Sequence, residues 1–265
     1  MRQLATLAAC AALGAHATTA TTDFSDLWFN AAESGWGVNI IQQNEIQFIT
    51  MFVYAANGQP TWFVGPSTSY TGTDSNGTLA FSGPLYTTTG PYFGAGTFDP
   101  ASVNARQVGF ISFATNDVSG GVVVYSVDGV SVTKTVRRQT WRAENLNGTY
   151  IGATIGNYTG CGAARNGYLE APITLTVGHD GGSTLTMREQ GSNYSCNYTG
   201  AYTQEGRMGR IVGNGTCSDG TNQAFTATEV QTGIQALTFR FAGTFSGSGG
   251  TCTFVGRMGG MRRIQ

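Results

Sequence analysis

Apolar and polar positions alternate in short runs along most of the chain. In the second half the pattern is clean: Ile173, Leu175 and Val177 alternate with Thr174 and Thr176. A period of two puts one set of side chains on each face of a strand, here one dry face and one wet one. In the first half, Ile46–Tyr54 differs. Ile46, Phe48, Phe52 and Tyr54 line one face, and Ile49, Met51 and Val53 the other, which predicts a strand covered on both sides. Turn signals separate such runs: Asn57-Gly58, Asn76-Gly77, Asp128-Gly129, Asn166-Gly167, Asp180-Gly181 and Asp219-Gly220. Each pair tolerates the positive φ of tight hairpin turns. After the first 17 residues, no window of 12 or more shows a helical period. The expected fold class is therefore all-β: two antiparallel β-barrel or barrel-like sandwich domains of about eight strands each. The boundary falls near residue 143, giving domains 18–143 and 144–265. All four Trp lie before it, and four of the five Cys after it.

Composition narrows the class. Charged residues are 11% of 265, Gly is 39, and the formal net charge is -1. With 13 Arg and one Lys against 15 acids, the chain lacks the basic footprint of a nucleic-acid binder. Hydrophobic residues at 40% argue against disorder.

Residues 1–17 read as a signal peptide. Arg2 supplies the positive start, Leu4–Ala15 the apolar run, and Ala15-His16-Ala17 the cleavage signal. No later run is long enough to be a transmembrane segment. A secreted or periplasmic location follows. A rival reading takes Leu7-Ala8-Ala9-Cys10 as a lipoprotein box that would anchor the chain at Cys10. An oxidising compartment predicts two disulfides among Cys161, Cys196, Cys217 and Cys252. Cys196 and Cys217 lie almost symmetrically about a turn at Glu205-Gly206-Arg207, so they face each other across a hairpin, leaving Cys161 to pair with Cys252. No C-x2-C pair is present and a single His follows the cleavage site, so neither a metal site nor a cofactor is expected.

The most specific motif is Trp28-Phe29-Asn30-Ala31-Ala32-Glu33-Ser34-Gly35-Trp36-Gly37, followed by Tyr54-Ala55-Ala56-Asn57-Gly58-Gln59-Pro60-Thr61-Trp62. Residues 24–142 resemble a family of secreted proteobacterial proteins of unknown function that share the W-x-N-x-x-E-S-G-W-G segment. The resemblance implies an all-β domain in a bacterial envelope or extracellular setting, and no activity. The Leu146-Asn147-Gly148-Thr149-Tyr150 opening of the second half is similar to the first strand of lipocalin-like and avidin-like barrels.

These residues supply the candidate ligand site: Trp28, Asn30, Glu33, Trp36 and Trp62. A carboxylate beside indole faces suits sugars, and the competing structural reading makes the indoles core. A barrel mouth is the other candidate location. His179 precedes Asp180-Gly181-Gly182 and reads as a solvated turn residue. Lys134, Arg137, Arg138 and Arg142, like Arg257, Arg262 and Arg263, read as solvated strand edges. The leading functional expectation is a non-catalytic binding protein whose ligand is a glycan or a small apolar molecule. The alternatives are a carboxylate-dependent hydrolase built on Glu33 and a structural or adhesive surface protein.

Overall fold

The structure is a computed structural model, and it describes residues 22–162, 165–247 and 250–264. The expected signal segment and Cys10 lie outside the described residues. Sixteen strands are present among the described residues. The first eight are β1 (Asp26–Phe29), β2 (Gly37–Gln43), β3 (Ile46–Tyr54), β4 (Pro60–Thr73), β5 (Leu79–Thr89), β6 (Asn104–Thr115), β7 (Gly120–Val127) and β8 (Val130–Arg138). The second eight are β9 (Gly148–Thr159), β10 (Gly167–His179), β11 (Thr184–Gln190), β12 (Ser195–Glu205), β13 (Met208–Cys217), β14 (Asn222–Thr232), β15 (Ala236–Gly247) and β16 (Gly250–Arg262). Each set closes into an antiparallel barrel in which every strand pairs with its sequence neighbour. The closing seam of the second barrel is paired from Thr253 to Arg262, whereas in the first β8 meets β1 only at Arg137 and Arg138. Residue 143 lies in the connector between β8 and β9. No described helix is long and apolar enough to cross a membrane.

Period-two patterning fills the barrels. In the first, Val38, Ile40, Ile49, Met51, Phe81, Ile111, Phe113 and Val123 point inward and are buried. In the second, Leu175, Leu185, Phe225, Phe239, Phe241 and Phe254 do the same, with Phe225 and Phe241 stacked at 5.3 Å. Full burial of each such side chain contributes about 1.5–3 kcal/mol. The expectation for β3 fails on one face. Ile46, Phe48, Phe52 and Tyr54 stand on the outer wall and are exposed, while Gln47, Ile49 and Met51 take the buried face. An apolar run on both faces does not distinguish a covered strand from an outward aromatic row.

The halves share a device that residue identity hides. Trp28 on β1 pairs in register with Arg138 on β8. Tyr150 on β9 pairs with Arg262 on β16. In each barrel the arginine stacks on the aromatic ring, at 4.7 Å for Arg138 and 5.0 Å for Arg262. In each, the aromatic donates a hydrogen bond to the carbonyl four residues upstream: Trp28 Nε1 to Phe24 (2.9 Å) and Tyr150 Oη to Leu146 (2.9 Å). Each aromatic–arginine pair thus closes the seam between first and last strands and seals one barrel end.

The sealed ends meet. Arg207, in the β12–β13 turn, pairs with Asp23 and donates its backbone N–H to Asp26 (3.0 Å). Gly206 has φ +59°, and a Cβ there would collide with the Asp26 carboxylate. A residue without a side chain is required for this approach. Thr140 and Glu144 of the connector bond to the same hairpin. The other end of each barrel lies away from this junction.

Candidate functional site

The five residues expected to bind ligand divide among different environments. Trp28 is 0% exposed and packs on Phe113 at 4.9 Å, so it belongs to the core and presents no face to a ligand. Asn30 organises the turn after β1: its side chain accepts from Ala32 N (2.9 Å) and its carbonyl from Glu33 N (3.0 Å). Glu33 accepts from Trp36 Nε1 (3.2 Å) and from Lys134 Nζ (2.6 Å). The Lys134 ammonium also lies 5.7 Å from the Trp36 ring centre. Trp62 sits on the outer wall opposite Phe52, with 49% and 40% exposure. Glu33, Trp36 and Lys134 therefore form one cluster at the end of the first barrel away from the junction, and Trp28 and Trp62 stand apart from it. The hydrogen bond and charge of Lys134 hold the Glu33 carboxyl below the usual carboxylate range. That is the wrong direction for a general acid, which needs a raised pKa.

Other readings change as well. Arg138 is buried rather than solvated. It donates to Val118 O (2.5 Å), Asp23 O (2.9 Å) and Asp26 Oδ2 (3.1 Å). Arg262 is bound to Tyr150 Oη (2.7 Å). Arg257 pairs with Glu229 (2.9 Å). His179 is buried, packed edge-on against Tyr202 at 4.9 Å, with Nε2 3.0 Å from the Gly182 carbonyl. Asn147 clamps its backbone from both sides. Its place is the sealed end of the second barrel, remote from any mouth.

The second barrel carries a cavity of about 640 Å³ at its mouth, the other candidate location, whose residues the sequence reading did not name. Tyr158, Phe245 and Phe254 supply apolar wall, and Leu169 and Met258 add to it. Both expected disulfides, Cys161–Cys252 and Cys196–Cys217, are present. Cys196 and Cys217 line the cavity wall. Cys196 and Cys217 are register partners on β12 and β13, as the hairpin argument required.

Within the cavity is Glu189, only 2% exposed. Its Oε1 accepts from Thr154 Oγ1 (2.9 Å) and Tyr194 Oη (2.7 Å), and its Oε2 from Tyr198 Oη (2.8 Å). Gln223 extends the network, donating to Tyr198 Oη (3.2 Å), while its buried Oε1 has no hydrogen-bond partner. Burial, together with the Glu189 charge, pushes the Tyr194 and Tyr198 hydroxyls far above the ordinary phenol range. Both phenols stay protonated and act as donors. At the rim, Arg165 lies 5.7 Å over Tyr158 and 3.9 Å from Asp219. Parity held the signal for Glu189: in Thr184–Gln190 it follows Leu185 and Met187 on the apolar face.

Among the described residues, no group of three or more His, Cys, Asp or Glu could hold a metal ion. No family model, curated protein or solved structure matches the chain.

Proposed function

We propose that the protein is a secreted or periplasmic, non-catalytic binding protein that holds a small molecule in the cup of the second barrel. One observation carries this reading: a cavity of about 640 Å³ open to solvent and lined by aromatic rings, with a buried, fully oriented carboxylate. That size lies within the usual range for small-molecule sites, and a few placed polar groups in an apolar cavity are their usual chemistry. Two disulfides in the barrel that contains this cavity suit an oxidising compartment. Of the two ligand classes considered, a small molecule with an apolar body fits an enclosed aromatic cup better than a long glycan does. The test is native mass spectrometry on the oxidised full chain, exported and purified without denaturant. A discrete added mass below about 1 kDa, released on unfolding, supports the reading. A bare chain mass, with no melting-temperature shift across a small-molecule panel, overturns it.

A second reading, a structural surface protein, draws on the outer wall of the first barrel. Ile41, Phe48, Phe52 and Trp62 form cross-strand pairs there and are exposed. Exposed apolar surface of this kind favours association. Concentration-dependent self-association abolished by Trp62→Ser supports it, and a monomer at all concentrations removes it.

A further inference from the structure

Resting on the reading of the cup as a ligand site, we infer that its ligand is a compact organic cation, an amine carrying N–H donors on an aromatic or apolar body. Glu189 takes part in no ion pair among the described residues, and its three donors are neutral hydroxyls. A carboxylate withdrawn from water without a countercharge is costly, and an arriving cation relieves that cost. The three hydroxyls fix the carboxylate without neutralising it. An ionised carboxylate offers about four acceptor sites. Three are used, and among the described residues only Tyr198 donates to Oε2.

The rest of the cup has matching chemistry. Tyr158, Tyr194, Tyr198 and Phe254 line it, and ring faces attract cations at short range. Arg165 is the only cationic side chain among the described lining residues, and it is half-exposed at the rim beside Asp219. An anionic ligand would instead have to approach Glu189. A neutral polar ligand would leave its charge uncompensated.

The test is calorimetric titration of the oxidised full chain with three probes of one shape: tryptamine, the neutral alcohol tryptophol, and indole-3-acetate. The expected order is tryptamine at least tenfold tighter than tryptophol, with indole-3-acetate weakest. Glu189→Gln is expected to bring tryptamine down to the tryptophol level while tryptophol is unchanged. If that variant fails to fold, the wild-type order alone decides. Equal binding of tryptamine and tryptophol overturns the cation and leaves the cup as a site. Tighter binding of indole-3-acetate does the same. Failure of all three probes to bind at millimolar concentration also overturns it, and a retained mass in the native spectrum then shows that the cup reading survives alone.

Discussion

Removing the two disulfides separately gives unequal, calculable losses confined to one barrel. A cross-link stabilises chiefly by restricting the unfolded chain, and the effect grows with the logarithm of the loop it closes. Cys161–Cys252 spans a sequence separation of 91, and Cys196–Cys217 one of 21. The loop-closure relation gives about 4.6 kcal/mol for the first and about 3.3 kcal/mol for the second at 25 °C. The first bridge ties β16 to the segment after β9, across the closing seam of the barrel. The second ties neighbouring strands that are already in register. The assay follows from where the tryptophans lie. Trp28, Trp36 and Trp62 belong to the first barrel, Trp141 to the connector, and the second barrel has none. In guanidinium titrations, tryptophan emission therefore reports the first barrel, and far-UV circular dichroism reports both. Cys161→Ala/Cys252→Ala is expected to shift the non-tryptophan transition to lower denaturant, by about 1.3 kcal/mol more than Cys196→Ala/Cys217→Ala. The tryptophan transition stays in place for both. A tryptophan midpoint that moves with the bridges, or the reverse order of cost, refutes the reasoning.

The two seals and the junction give further expectations. Arg138→Met removes the buried countercharge of Asp26 and the donor to the Asp23 and Val118 carbonyls, and should cost about 3–5 kcal/mol, read as an earlier unfolding midpoint in tryptophan emission. Trp28→Ala should cost about 3–5 kcal/mol as a core truncation, while Trp36→Ala, which removes a half-buried ring packed on the edge of that core, should cost less; equal losses contradict the assignment. Tyr150→Phe removes the donor to Leu146 O and the acceptor of Arg262, and should lower stability by about 1–3 kcal/mol in circular dichroism melts. For the junction, partial burial raises the Asp23 pKa, but its Ser25 hydrogen bonds and the Arg207 charge outweigh this and leave it lowered. A lowered carboxylate pKa means stabilisation that is complete above about pH 4 and lost as pH falls through the folded-state value. Asp23→Asn should accordingly flatten the acid limb of the stability profile below about pH 4, and an unchanged limb would contradict the assignment.

The strands and their grouping were legible because period-two patterning and turn dipeptides are local signals. The disulfide partners were legible because Cys196 and Cys217 flank a hairpin turn at nearly equal distances. What escaped was long-range. Arg138 lies in a basic run that reads as surface, and only closure of the barrel brings it onto Trp28, 110 residues earlier in the chain. The outward row Ile46, Phe48, Phe52 and Tyr54 has the composition of a buried face. Trp28 and Trp36 are close in sequence, yet one seals the core and the other stands at the rim with Glu33. Glu189 was within reach of parity, since it follows Leu185 and Met187 on the apolar face of its strand. Its donors come from β9, β12 and the turn between β11 and β12, a set that only the closed barrel assembles.

The most direct test of the central claim compares bound mass in native spectra of the wild type, Met258→Trp and Trp36→Ala. Met258 lines the cup, and a larger ring there takes up its volume. With both disulfides and the circular dichroism unchanged, Met258→Trp should lose the added mass and Trp36→Ala should keep it. Retention in Met258→Trp with loss in Trp36→Ala would move the site to the first barrel and contradict the account.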